Sequence, residues 1–176
     1  MRKKFLFLLC TLFLLGVVAG CSEDPKEELE AYQKDFRENV IEPVHEINLE
    51  LTTASNDFND GVTNDEEVVL SLIEDLLNLI EEKREYLADM KEPESEAGEE
   101  YYKALDSGAN ALFDYYEESS ELIEALADGT TKELTEAGKD MGDLARERKE
   151  KEDVIRKLQE KFEEEFEVEF EPGRVL

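Results

Sequence analysis

The chain has 176 residues and is strongly acidic, with 48 Asp and Glu against 20 Lys and Arg and a formal net charge of −28. A surface this acidic repels nucleic acid and anionic lipid headgroups, so we expect no nucleic-acid partner. Tryptophan is absent, and glycine and proline are few. The length suits one domain with a sizeable core, and the abundant Glu, Leu, Lys and Ala favour helices.

The first twenty residues have the three parts of a bacterial export signal. Positive charges at Arg2, Lys3 and Lys4 precede an apolar run from residue 5 to 18, and small residues follow. An apolar run of about fourteen residues is typical of a signal peptide and short for a membrane span. We therefore predict that residues 1–20 form a cleaved signal helix.

The segment Val18-Ala19-Gly20-Cys21 resembles the lipobox of bacterial lipoproteins. The resemblance implies that Cys21 becomes the first residue of the mature chain and carries a diacylglyceryl thioether, with a further acyl chain such as palmitate on its amino group. Two acyl chains hold a protein stably on a membrane. The alternative is a plain secretory signal in which Cys21 has no role. With Cys21 lipidated and Cys10 removed, no disulfide can form.

Residues 21–24 form a short polar tether before the first predicted helix. Asp24 can cap this helix and Pro25 is suited to its first turn. Apolar residues then recur at steps of mostly three and four up to residue 58, which predicts one helical face. Because this pattern continues past Pro43, we expect the proline to bend the helix and not to end it.

A turn is predicted at residues 56–65, which are rich in Asn, Asp and Gly. Thr63 and Glu66 have the spacing of a capping box for a second helix. This helix is the most apolar element of the chain and is expected to continue to Lys91. A helix that is apolar over most of its circumference is mostly buried, so we expect it at the centre of the packing.

The segment 92–95 contains Pro93 and should separate the second helix from a third, which ends at Asp128-Gly129. Small residues at 107–109 should let a neighbouring helix approach closely. A second capping box, Thr130 with Glu133, predicts the start of a fourth helix. From Phe166 to Phe170 apolar and acidic residues alternate, so residues 168–176 are predicted as an extended tail.

These elements predict an all-α protein, an up-down-up-down four-helix bundle of long antiparallel helices over residues 25–167. Its polar connection at 56–65 would form the end farthest from the lipid anchor. Six aromatic residues should gather at the opposite, membrane-proximal end: Tyr32, Phe36, Tyr86, Tyr101, Phe162 and Phe166.

Two polar features are candidate ligand sites. Residues 56–67 can be aligned with an EF-hand loop, with Gly61 at the sixth position and Glu67 at the twelfth, although Phe58 occupies a ligand position. The alternative is an ordinary capped turn. Arg148 and Lys151 lie in the predicted helical seam, at the level of residues 42–43, 83–84 and 106–108. They could form a mid-bundle polar layer around a ligand. The alternatives are a layer that only fixes the packing and a helix that leaves the bundle at this point.

The sequence argues against an enzyme, a metal site and a cofactor. Glu42 and His45 match half of a di-iron signature, but His45 is the only histidine in the chain and should be exposed or half-buried. Zinc sites need several His or Cys ligands, whereas the mature chain has one histidine and a cysteine taken up by the lipid. The serines lie in caps and turns without a nucleophile motif. We therefore expect no catalytic, metal-binding or cofactor-binding residues.

The whole chain resembles the small, uncharacterised helical lipoproteins of Gram-positive bacteria, some of them described as cell-wall-binding proteins. This resemblance implies a non-enzymatic lipoprotein on the extracytoplasmic face of the cell membrane. It would be anchored through Cys21 and would act as a binding or structural module toward an envelope protein or the cell wall. The alternative is a lipoprotein that binds a cation or small ligand through the 56–67 turn or the mid-bundle layer.

Overall fold

The computed structural model describes residues 24–62, 66–128, 131–170 and 176, without the side chains at 59, 125–128 and 131–139. The protein is all-helical, as predicted, with four helices and no strand among these residues. The first helix has three parts, which are α1 Pro25–Phe36, a π-helical turn Arg37–Ile41 and α2 Glu42–Asn59. The other three helices are α3 Glu66–Asp89, α4 Glu96–Asp128 and α5 Thr131–Phe166.

The start of α1 is confirmed by its cap. The side chain of Asp24 accepts a hydrogen bond of 3.1 Å from the amide of Lys26, and Pro25 is the first helical residue. Glu27 and Glu28 place negative charge in the first turn, where the helix dipole favours it.

The first helix continues past Pro43, as expected, and the π-helical turn before the proline keeps its apolar face in register. The amide of Glu42 donates to the carbonyl of Arg37, five residues back. A π turn absorbs one extra residue, so the eight-residue step from Phe36 to Val44 behaves as a seven-residue step. The buried residues Leu29, Phe36, Val44 and Leu51 therefore follow one heptad stripe.

The predicted turn after this helix is shorter than expected, because α2 extends to Asn59. Gly61 has φ = 70° and lies just past the helix end. The amide of Val62 donates to the carbonyl of Asp57 at 2.8 Å, and the amide of Gly61 donates to that of Phe58 at 3.1 Å. This is a glycine-terminated helix end. Thr63, the first residue of the proposed capping box, lies outside the described residues.

The prediction that the second helix is the centre of the packing is wrong. Buried residues of α3 follow a stripe of three- and four-residue steps through Val69, Ile73, Leu76 and Ile80. By contrast, Val68, Leu70 and Leu77 are 46%, 42% and 38% exposed. The helix is apolar around most of its circumference, yet within the described structure it is buried along one face. The helix itself ends at Asp89.

The central element is α4. It contacts α1, α3 and α5, and its contact with α5 is the most extensive in the molecule. Its buried residues lie on more than one face: Tyr101, Leu105, Ala109, Ala111, Leu112, Phe113, Tyr116 and Ser120. Gly108 permits the close approach of α5 that the small residues predicted, since a Cβ there would lie 2.7 Å from Cδ1 of Ile155.

The C-terminal tail leaves the helix at Glu167, which has φ = 55°. Alternation then holds as predicted, because Val168 is buried, Glu169 is exposed and Phe170 packs on Tyr101 with ring centroids 5.3 Å apart. The main-chain oxygen of Glu167 accepts a bond of 2.6 Å from Nζ of Lys26. The tail therefore lies against the start of α1.

Candidate functional site

An open groove of about 640 Å³ lies between the first three turns of α1 and the C-terminal end of α3. Positions 27, 31 and 35 succeed one another on one face of α1 at four-residue steps, so they form one wall. The last turn of α3 and the residues after it form the other wall. The groove is lined by Glu27, Glu28, Ala31, Tyr32, Asp35, Tyr86, Asp89, Met90 and Lys91.

Tyr86 and Asp35 join the two walls. The Tyr86 hydroxyl lies 2.9 Å from each carboxylate oxygen of Asp35, and Nδ2 of Asn39 donates to Oδ1 of the same carboxylate at 2.7 Å. Burial, followed by the Asp35 carboxylate, raises the pKa of Tyr86. The phenol therefore remains a donor at neutral pH, and it holds Asp35 in place at one end of the groove.

Tyr32 and Tyr102 hold the C-terminal end of α3 in position. The hydroxyl of Tyr32 donates to the main-chain oxygen of Lys91, and that of Tyr102 donates to the main-chain oxygen of Leu87 at 2.7 Å. The two rings meet edge to face, with centroids 5.9 Å apart. The Leu87 carbonyl also accepts from the amide of Met90 at 3.3 Å, so Tyr102 adds a second donor there, while Tyr32 supplies a donor to the Lys91 carbonyl beyond the helix end.

Glu28 forms the base of the groove and caps α4 from another helix. It is 4% exposed and accepts hydrogen bonds from the amides of Glu94 at 2.5 Å and Ser95 at 3.2 Å, and from the Ser95 hydroxyl. The Ser95 oxygen in turn accepts from the amide of Gly98 at 2.9 Å. A Cβ at position 98 would clash with the Glu28 carboxylate and lie 2.9 Å from Cβ of Pro93.

The charge of the groove is mainly negative. Within the described parts of the chain, Glu27 and Asp89 have neither a hydrogen bond nor an ion pair from their side chains. Lys91, the one basic residue of the lining, pairs with Glu94 at 2.9 Å. The groove therefore presents unneutralised carboxylates beside tyrosine rings and the Met90 side chain.

Cys21, the predicted lipidation site, lies outside the described residues, as does the whole signal peptide. The described helix begins with Pro25, directly after the tether predicted at residues 21–24. The groove is therefore built on the turns of α1 that directly follow the predicted tether.

The 56–67 segment has the geometry of a helix end over its described part. Asn56 and Phe58 belong to α2, and their carbonyls accept bonds from Asp60 and Gly61. Residues 63–65 lie outside the description. Over the residues that are described, no group of three or more His, Cys, Asp or Glu side chains is placed to hold a metal ion.

The basic residues of the predicted mid-bundle layer are divided between two faces of α4. Arg84 bonds to Asn110 at 2.7 Å, Asp114 at 2.8 Å and Glu117 at 3.0 Å. Arg148 instead stacks on the ring of Tyr115, 4.9 Å from the centroid. Position 115 is on a different side of α4 from 110 and 114, because each helical residue turns by about 100°. Arg84 and Arg148 therefore do not share one face of α4.

His45 is half-buried, as expected, and its Nδ1 lies 3.2 Å from the hydroxyl of Tyr116. It links α2 to α4.

The predicted aromatic cluster is confirmed in part. Two of its six residues line the groove, which was not predicted from the sequence. Tyr101, Phe162 and Phe166 are in contact, with successive centroids 6.0 and 5.9 Å apart. Tyr32 and Tyr86 both line the groove. The groove carboxylates Glu27, Asp35 and Asp89 were not predicted, because no sequence pattern distinguishes them from the other acidic residues among the 48 in the chain.

Among the described helices, none has both the length and the apolar character needed to cross a membrane. Comparison of the chain with protein-family models, with curated proteins and with solved structures gives no match.

Proposed function

We propose that this chain is a lipoprotein anchored through lipid on Cys21 to the extracytoplasmic face of the cell membrane, where it acts as a non-enzymatic binding or structural module of the envelope. The observation that carries the proposal is the segment Val18–Cys21, which follows a charged and then apolar export signal. An envelope protein or the cell wall is the expected class of partner.

The proposal includes an up-down-up-down bundle as the body of the lipoprotein. Contacts between consecutive helices, α2 with α3, α3 with α4 and α4 with α5, support this arrangement. Short connections between long helices favour antiparallel neighbours. In this arrangement the groove at the start of α1 faces the membrane end of the molecule, and residues 60–62 lie at the distal end.

The test is the intact mass of the protein extracted from membranes, for wild type beside Cys21→Ala. We expect a mature chain that starts at Cys21 and carries the diacylglyceryl mass, and we expect this mass to be lost in the variant. Cys10→Ala is the matched control and should leave the processed mass unchanged. An unmodified wild-type chain recovered from the medium would contradict the proposal.

A second candidate function is the binding of a small ligand, and the groove favours it. Its volume of about 640 Å³ lies within the range of small-molecule sites, and its lining combines apolar surface with a few charged groups. The groove replaces the mid-bundle layer as the preferred location for such a ligand. Calcium binding at residues 56–67 is tested separately, by a thermal shift at micromolar Ca²⁺ that Glu67→Ala would abolish.

A further inference from the structure

We propose that the groove between α1 and α3 binds a linear polyamine, a small organic cation with amines joined by methylene segments. This inference rests on the ligand-binding function proposed above and gives that ligand its chemical class. It follows from the charge, the spacing and the apolar lining of the groove, which are taken here in turn.

The carboxylates of the groove have unused capacity for cations. Glu27 and Asp89 have no partner among the described residues, and they stand on opposite walls. Asp35 accepts from Tyr86 and Asn39, but a carboxylate offers about four acceptor positions and can also receive an ammonium group. A cation in the groove would therefore gain partners without breaking an existing ion pair.

The spacing of these carboxylates favours an extended polycation over a single metal ion. Glu27 and Asp35 are eight residues apart on one helical face, a rise of about 12 Å. This separation is comparable with the length of an extended triamine, and Asp89 can meet it from the other wall. A metal ion needs ligands that converge within about 2.6 Å of one point, and no such group occurs in the described chain.

The surface between the carboxylates suits the methylene segments of such a ligand. Ala31, Tyr32, Tyr86 and Met90 supply apolar contact between the charged positions. Tyrosine rings also attract cations by cation–π interaction. The Tyr86 ring already attracts one cation, because Nζ of Lys83 lies 6.0 Å from the ring centroid. The same Nζ pairs with Glu82 at 2.7 Å.

The test is isothermal titration of spermidine into the full-chain gene product, purified in nonionic detergent in the form that the cell processes. The buffer contains about 0.15 M NaCl, which limits general counterion binding to the acidic surface. The groove variant is Glu27→Gln with Asp89→Asn. The charge-matched control is Glu74→Gln with Asp75→Asn, two exposed carboxylates of α3 outside the groove.

We expect one binding site for spermidine, weakened about tenfold in the groove variant, or about 1.4 kcal/mol, and unchanged in the control. Putrescine, which is shorter, should bind more weakly, and neutral 1,8-octanediol should not compete. Equal weakening in both variants, or weak multiple-site binding that salt removes, would mean general counterion association and would overturn the inference. Absence of heat in the wild type, checked by equilibrium dialysis of labelled spermidine, would overturn it as well.

The outcome is separable from that of the lipoprotein proposal. A lipidated protein that does not bind spermidine would support the lipid anchor and contradict the polyamine site. An unmodified protein that binds spermidine at the groove would support the polyamine site and contradict the lipid anchor.

Discussion

The Glu28 side chain adds a carboxylate from another helix to the local cap of α4, in which the Ser95 oxygen accepts from the amide of Gly98. Its carboxylate accepts the amides of Glu94 and Ser95, at the break between α3 and α4, so the start of α1 is tied to the start of the central helix. A buried donor left without an acceptor costs free energy, because the group also loses its hydration.

We therefore expect Glu28→Ala to lower the free energy of unfolding by about 1–3 kcal/mol. Urea unfolding followed by circular dichroism measures this change. Glu27→Ala is the matched control: the neighbouring side chain is exposed and has no partner among the described residues, so its removal should leave the midpoint close to that of the wild type. Equal midpoints for the two variants would contradict the role of Glu28.

Tyr101 predicts a loss of stability in alkaline solution. It is fully buried, and burial raises its pKa above the ordinary value of 10 even though the Gln159 side chain donates to its oxygen at 2.8 Å. Above pH 10 the unfolded chain releases a proton that the folded chain keeps, so stability falls with rising pH by up to about 1.4 kcal/mol per pH unit. Below pH 10 this contribution is fully present.

Thermal unfolding of wild type and Tyr101→Phe between pH 8 and about pH 11 measures this contribution. We expect the difference between the two melting temperatures to be constant up to pH 10 and then to shift in favour of the variant. Tyr115→Phe, at a half-buried ring, is the control and should follow the wild type. Parallel curves for wild type and Tyr101→Phe would refute the assignment.

At the scale of the element, the π-helical turn predicts which deletion the first helix tolerates. Removing Asn39 would convert Arg37–Ile41 into an ordinary α turn while Phe36 and Val44 keep their common face. A proline inside an α-helix costs about 3 kcal/mol, so the deletion is made together with Pro43→Ala. We expect this protein to fold, with the mean helix content of the wild type.

The matched control is deletion of Glu46, also exposed, in the same Pro43→Ala background. It turns the residues on its two sides by about 100° relative to each other and separates Val44 from Leu51 in the stripe. We expect it to unfold at much lower urea concentration than the Asn39 deletion. The reverse order of the two midpoints would contradict the register argument.

Helix existence and ends were predictable because they depend on local chemistry. Asp24 and Pro25 mark one start, and Pro93 marks a break that the structure keeps. Pro43 indicated an irregularity, but its form as a π turn depends on the neighbours of Val40 and Ile41, which are both buried. Such a choice between turn types is made by tertiary packing.

The partner of each apolar face was not predictable from periodicity. The apolar residues on several sides of α3 suggested a central helix, yet Val68 and Leu70 remain largely exposed. The longer α4 is central because small residues such as Gly108 and Ala109 let α5 approach one side while Phe113 and Tyr116 are buried on others. The periodicity of apolar residues predicts that a helix has a buried face, but which helix is central depends on how the helices are arranged in space.

For the whole molecule, the dominant electrostatic fact is a formal charge of −28 with only 20 basic residues. Among the described residues, several ion pairs join exposed side chains of one helix, such as Lys103 with Glu99 and Arg146 with Asp143. Exposed pairs of this kind contribute little. Repulsion among the remaining carboxylates therefore opposes folding, and salt should relieve it.

We expect the melting temperature to rise by several degrees between about 0.01 M and 1 M NaCl, as the Debye length falls from about 30 Å to 3 Å. Circular dichroism at the helix band measures it. Sucrose at matched osmolality is the control, because it stabilises proteins without screening charge. A melting temperature that is flat or falls with NaCl would show that repulsion does not limit stability.

The contact between Glu28 and Gly98 also constrains how the chain can evolve. The two positions are far apart in sequence, yet a side chain at 98 has no room while the glutamate occupies the cap. Alanine at 98 requires a shorter residue at 28 and also a displacement of Pro93, whose Cβ would lie 2.9 Å away, and a shorter residue at 28 is itself costly while 98 is still glycine. Divergence at this end of the molecule should therefore proceed through paired substitutions, with the first of each pair selected against.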